Sequence, residues 1–413
     1  MSESITSAFI RAIPKTDLHV HLDGSLRLAT LVEMARASRV RLPSQDPQGL
    51  RELVFKGAYA SLTEYLAGFA LTCAALDRPE HLERAACELG EDALAEGVRY
   101  LEVRFAPQLH VRDDLPYAEL VRAVCRGLDR AGRAHNGTAA VRSGDDIPFA
   151  FGLILCAMRS FGRETSPYFA RLLDVLAMAP RRETFAAASL EMARGAVALR
   201  DAEGLPVTGF DLAGEEAGFP AGDHRAAYAY AHSHFLRKTV HAGEAYGPES
   251  IFQAITDCHA NRIGHGTFLF AHERIRDPRI ADPARYCEQL AEYIANQRIT
   301  IEVCLTSNLQ TVPSLRAAED HPAGRMIARN LSVSICTDNR LVSDTTVTTE
   351  LERVVRLFRP TAAQFRNLVI AGFKGSFYPG TYTEKRAFVR RAIERYERLE
   401  GRRAARAAGE TPA

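Results

Sequence analysis

The chain has 413 residues, 46% of them apolar, with 52 Lys and Arg against 51 Asp and Glu. Such a length suits one large α/β barrel with insertions or two modest domains, and the near-zero net charge excludes the basic excess of a nucleic-acid-binding surface. Eight cysteines are scattered without a C-x-x-C pair and read as buried, reduced thiols of a cytoplasmic protein rather than a disulfide framework or a thiolate metal site.

The opening "MSESITSAFIRAIPK" has no basic head followed by an apolar stretch, so no signal peptide is expected. No apolar run approaches the ~20 residues of a membrane span, so no membrane partner is expected. The first strand-like run is "TDLHVHLD" at 16–23. Residues 24–97 hold no defensible strand and read as helices inserted after it, with "SLTEYLAGFALT" (61–72) suited to an apolar lid or to ordinary packing. Within that insertion, 81–97 has apolar residues at helical spacing and stops at a glycine. A second run follows at 98–107, a helix at 117–135, a polar loop at 136–147 and a third run at 149–159. A helix at 184–204 then leads to runs at 207–216, 238–244, 262–268, 300–308 and 332–339. The C-terminal stretch begins as a basic amphipathic helix with a solvated face and ends as a frayed tail.

Eight strands alternating with helices imply parallel pairing and a (β/α)8 TIM barrel, whose catalytic groups gather at the C-terminal strand ends. A doubly wound sheet is the competitor, but no G-x-G-x-x-G follows the first strand. We therefore expect one domain over 1–385, with 24–97 as its helical insertion, and a C-terminal helix and tail over 386–413.

Residues two apart in a strand share a face, so His19 and His21 point the same way and Asp23 continues their line. The pair fits metal ligation, or two core histidines satisfied by hydrogen bonds. "HSH" at 232–234 has the same spacing within a helical pattern, where positions two apart diverge by about 200°, and reads as surface or packing. Three more strand ends carry ionisable groups: "HAGE" with His241 and Glu244, "GHG" with His265, and "CTDN" with Asp338 and Asn339. His19, His21, His241 and Asp338 form a nitrogen/oxygen set suited to one catalytic zinc ion with a position left for water. His265 could take or orient that water's proton, and Glu244 could donate a proton to the substrate.

The motifs "KTDLHVHLDGSL", "YLEVRFAPQL", "LILCAMR", "GFDLAGEEAGF", "HAGEA", "RIGHG", "IEVCLTSNLQT", "TDN" and "SFYP", in this order from about residue 14 to 385, resemble the adenosine deaminase family. The resemblance implies zinc-dependent hydrolysis of adenosine or 2′-deoxyadenosine to inosine or deoxyinosine plus ammonia, in purine salvage. It implies that Glu244 protonates the ring nitrogen beside the reacting carbon, and that His265 and Asp338 steer and deprotonate the attacking water. It further implies that Gly214 hydrogen-bonds another ring nitrogen through its backbone and that Asp23 contacts the ribose. Arg159 and Met158 resemble pocket-side positions, or serve in packing and ion pairing. Many family members carry two aspartates at the last strand end where this chain has Asp338-Asn339; the asparagine amide can donate to a purine nitrogen without a shared proton. The partners implied are a purine nucleoside and water; nothing in the sequence sets the oligomeric state. The rival substrate is 6-amino-6-deoxyfutalosine by the same chemistry, and the rivals from other classes are a catalytically inactive binding protein and a phosphotriesterase-like hydrolase.

Overall fold

The computed structural model describes residues 5–59, 62–312, 314–315 and 317–407. Eight parallel strands, β1 (Lys15–His21), β2 (Val98–Phe105), β3 (Ala150–Met158), β4 (Val207–Ala213), β5 (Arg237–Ala242), β6 (Arg262–His265), β7 (Thr300–Val303) and β8 (Val333–Ile335), pair in sequence order. The ring closes where the His21 amide donates to the Asp338 carbonyl (2.7 Å) and the Asp338 amide to the His19 carbonyl (2.7 Å). This is the expected (β/α)8 barrel, with helices packed outside it. No helix among the described residues is long and apolar enough to cross a membrane.

Among the described residues, the insertion after β1 contains four helices: Leu28–Ala37, Pro47–Leu53, Leu62–Ala75 and Pro79–Ala95. Ser61, in the expected lid, lies outside the described residues. Several expected boundaries shift. The run at 300–308 is strand only to Val303, because the chain turns into the helix Leu305–Thr311. The run at 332–339 is strand only over Val333–Ile335, its polar end being the functional loop. The expected polar loop at 136–147 contains a short helix, Ala139–Ser143, capped when the Thr138 hydroxyl accepts from the Val141 amide.

The C-terminal helix, Tyr382–Ala407, crosses the expected boundary at 385 without a break. Its inner face buries Phe388, Ala392 and Tyr396 in the main core. The Tyr396 ring meets Phe9 edge-on at 5.5 Å, tying it to an N-terminal helix, Ser7–Ala12, that periodicity had not revealed. The amphipathic pattern therefore marks a helix covering the barrel, with only its outer face solvated. Residues 408–413 of the expected tail lie outside the described residues.

Candidate active site

His19 and His21 share one face of β1, and their rings meet those of His241 and His265 at the C-terminal mouth of the barrel. His19, His241, His265 and Asp338 each bring one donor atom within 4.8 Å of the others. His21 joins them: its Nε2 is 3.3 Å from Nε2 of His241 and 3.5 Å from Oδ1 of Asp338. The four expected zinc ligands thus converge, with His265 beside them.

The residues behind the imidazoles set their tautomers. His19 donates from Nδ1 to Oε2 of Glu302 (2.7 Å), and His241 from Nδ1 to Oδ2 of Asp211 (3.0 Å). Each ring then presents its Nε2 lone pair to the cavity, the form that binds a metal. Burial foremost holds the His21 imidazole well below its ordinary pKa. Nε2 of His19 is buried without a hydrogen-bond partner, 3.5 Å from Oδ1 of Asp338. A lone pair facing a carboxylate oxygen is costly unless a cation lies between them, so this donor set fits a divalent metal.

Sequence reasoning missed the charged layer below. Arg104 donates to Oδ2 of Asp211 (2.6 Å) and Oε2 of Glu302 (2.8 Å), and Arg262 to Oε1 of Glu302 (2.5 Å). Burial alone would raise both carboxyl pKa values, but Arg104, with His241 at Asp211 and Arg262 at Glu302, holds them well below the usual range. The available signal was a charged residue at an inward position of an otherwise apolar strand.

Three strand ends require unusual backbone. Gly243, Asp338 and His265 all have positive φ (70°, 63° and 64°). For the two non-glycine residues this costs of order 1–3 kcal/mol each, the kind of strain that clusters at active sites. A second carboxylate secures the Gly243 turn. Glu216, buried, accepts from the backbone amides of Gly243 (3.0 Å), Glu244 (3.0 Å), Ala245 (2.6 Å) and Tyr246 (2.9 Å), and from the Ser250 hydroxyl. One side chain thereby freezes the loop that carries Glu244. Oε2 of Glu244 lies 3.8 Å from Nε2 of His265.

A hydrogen-bond chain orients His265. The Ala323 amide donates to Nδ1 of His321 (3.1 Å), so His321 carries its proton on Nε2 and donates to Oδ1 of Asn308 (3.3 Å). That fixes the Asn308 amide, whose Nδ2 donates to Nδ1 of His265 (3.0 Å). Neutral His265 therefore carries its proton on Nε2, toward Glu244. Asp338 accepts from the Ser307 hydroxyl (2.6 Å). Burial would raise its pKa, but the surrounding imidazoles, His19 foremost, hold it well below the usual range.

Above these groups lies a cavity of about 480 Å³, lined by Asp23, Tyr65, Phe69, Cys73, Met158, Gly214, Glu244 and Asn339 among others. The helix Leu62–Ala75 supplies Tyr65, Phe69 and Cys73 to its wall. Burial pushes the Asp23 carboxyl up to about 6. Asn339 donates to the Tyr65 hydroxyl (2.7 Å) and packs so tightly on Gly24 that a Cβ there would lie 2.0 Å from its Oδ1. Of the two uncertain pocket positions, Met158 lines the cavity and Arg159 does not. Arg159 is buried and turned outward, donating to the carbonyls of Phe219 (2.7 Å) and His241, because neighbouring strand residues face opposite ways. His232 and His234 lie away from the site, on the helix Arg225–Ser233 and at its C-cap.

A family model described as adenosine deaminase matches residues 14–394. Adenosine deaminase from Mycolicibacterium vanbaalenii is 35% identical over 404 residues, covering 97% of this chain and 100% of the relative. Among solved structures, an amidohydrolase from Burkholderia ambifaria with bound Zn superposes with a TM-score of 0.73 at 23% identity, over 97% of this chain and 96% of the other. Arabidopsis ADAL complexed with GMP gives a TM-score of 0.68 at 25% identity, over 92% and 96%.

Proposed function

The chain belongs to the adenosine deaminase family, hydrolases of carbon–nitrogen bonds, and from that premise we propose that it converts adenosine and 2′-deoxyadenosine to inosine and deoxyinosine with release of ammonia, in purine salvage. One observation carries the choice of an uncharged nucleoside. Among the described residues, the cavity wall contains no lysine or arginine, whereas Asp23, Glu164, Glu215, Glu244 and Asp338 all face it. A 5′-phosphate, or the carboxylate at the far end of 6-amino-6-deoxyfutalosine, would be desolvated there without a cation, at a cost of several kcal/mol. The cavity volume falls within the roughly 300–1,000 Å³ usual for small-molecule sites.

His19, His21, His241 and Asp338 would hold one zinc ion per chain. When bound, it supplies Lewis-acid activation of the attacking water. The chain's own residues do the rest. Glu244 protonates the ring nitrogen beside the carbon that bears the amino group, which makes that carbon electrophilic. The tautomer imposed on His265 makes it a donor that orients the attacking oxygen, so the Asp338 carboxylate takes the water proton. Once the carbon–oxygen bond has formed, Asp338 passes its proton to the amino group, the carbon–nitrogen bond breaks with loss of ammonia, and the proton of the new hydroxyl returns to Glu244, leaving the carbonyl. The Gly214 amide and the Asn339 amide would donate to the remaining ring nitrogens, Met158 would pack on the base, and Asp23 would accept from a sugar hydroxyl.

An ultraviolet assay comparing adenosine, 2′-deoxyadenosine, adenine, AMP and 6-amino-6-deoxyfutalosine tests this reading. Turnover confined to the two nucleosides supports it. Preference for either anionic substrate overturns the choice of substrate.

A further inference from the structure

Three side chains from separate elements meet beside the cavity, none of them among the four expected zinc ligands. Asp23 follows β1, Cys73 lies on the helix Leu62–Ala75, and His110 caps the short turn after β2. Asp23, Cys73 and His110 bring a carboxylate oxygen, a sulfur and a ring nitrogen within 4.8 Å of one another. Oδ2 of Asp23 is 3.8 Å from Sγ of Cys73. The Cys73 thiol donates to that oxygen, and the other carboxylate oxygen and both imidazole nitrogens of the cluster are left over. His110 is only 1% exposed, with the Leu76 backbone beside its ring, and neither ring nitrogen reaches hydrogen-bond geometry. Oδ1 of Asp23, a residue 4% exposed, has no hydrogen-bond partner. Leaving buried polar atoms unpaired costs about 1–3 kcal/mol each, and these side chains hold their donor atoms within 4.8 Å of one another.

We propose that Asp23, Cys73 and His110 form a second metal site, for a thiophilic divalent cation such as zinc or cadmium, whose occupation excludes the nucleoside. The donor chemistry is mixed oxygen, sulfur and nitrogen, the set that borderline-soft cations prefer over magnesium or calcium. Zinc–sulfur bonds of about 2.3 Å and zinc–oxygen bonds of about 2.0 Å place tetrahedral donors roughly 3.5 Å apart, close to the spacing of Asp23 and Cys73. Binding replaces the thiol S–H bond with a sulfur–metal bond and releases that proton to solvent. Water from the cavity that Asp23 and Cys73 line would complete the shell. Asp23 and Cys73 line the cavity, so a cation between them takes the oxygen that a sugar hydroxyl would use. The consequence for turnover rests on the nucleoside reading above; metal binding itself does not.

The test uses full-length protein already loaded at the histidine site. That site has no thiolate, so a thiolate-to-cadmium charge-transfer band reports only on cysteine ligation. Titration with cadmium in the absence of nucleoside should raise this band to saturation at one additional ion per chain. Cys73→Ser should abolish the band, and His110→Gln should weaken cadmium binding by about tenfold or more; unchanged melting temperatures would establish that both variants fold. In the deamination assay, cadmium should raise KM for adenosine at constant kcat, and Cys73→Ser should remove that effect. A band of equal size in Cys73→Ser, unaltered affinity in His110→Gln, or a fall in kcat without a rise in KM would overturn the proposal. Absence of the band in a protein that deaminates adenosine refutes this site alone. A band in a protein that leaves adenosine untouched refutes the substrate assignment alone.

Discussion

Glu216→Gln isolates the residue that holds the proton donor in place. The wild-type carboxylate accepts four backbone N–H groups and one hydroxyl, and it is buried. A glutamine keeps one acceptor oxygen. Its best orientation turns that oxygen to the amides of Glu244, Ala245 and Tyr246, and the NH2 toward Ser250, whose hydroxyl can rotate to accept. The Gly243 N–H then has no partner, at about 1–3 kcal/mol, and three charge-assisted bonds fall to neutral ones at up to about 1 kcal/mol each. The sum, roughly 1–6 kcal/mol, lies at the low end of or below the 5–15 kcal/mol stability of a typical domain, so the protein should fold with its β5 loop loosened. Displacement of Glu244 by about 1 Å would cost on the order of 100-fold in kcat. Urea denaturation of metal-loaded protein and steady-state kinetics measure the two effects. Glu244→Gln alone should retain metal and lose about 100-fold or more in kcat, while Glu216→Gln added to it should cost little more, since both act through one group. A Glu216→Gln protein within about 0.5 kcal/mol of wild type and with wild-type kcat would refute this reasoning, as would full additivity of the two variants.

His19→Ala should lose bound zinc along with activity, measured by elemental analysis after dialysis; full occupancy in that variant would break the ligand assignment. Stability should also depend on pH through two buried neutral histidines. Burial brings His224 and His321 down from 6.5 to about 3. Below pH 6.5 the unfolded chain then binds more protons than the folded one, so stability falls as pH drops from about 6.5 toward 3, by about 1.4 kcal/mol per unit for each histidine. Urea midpoints at several values in that window should show the slope, and His224→Asn should remove one histidine's share. An unchanged slope in that variant would assign the acid sensitivity elsewhere.

Much of this protein was legible along the chain because strand and helix periodicities are local. Alternation in "TDLHVHLD" is enough to put His19 and His21 on one face, and eight such runs separated by helices imply parallel pairing and hence a barrel. The polar residues at the ends of those runs marked the mouth of the barrel, where the expected ligands do converge. What the sequence left open depends on which distant side chains the closed barrel brings together. Asp211 and Glu302 choose the tautomers of His241 and His19 from other strands, and His321 and Asn308 choose that of His265. Glu216 stood unnoticed beside Gly214 because no periodicity shows that a carboxylate will meet four amides some 30 residues away. Arg159 could be placed only by the register of β3, and the inner face of the Tyr382–Ala407 helix only by the barrel it covers. Cysteine spacing likewise pointed away from a thiolate site, since Asp23, Cys73 and His110 become neighbours only when the helical insertion folds back over the strand ends.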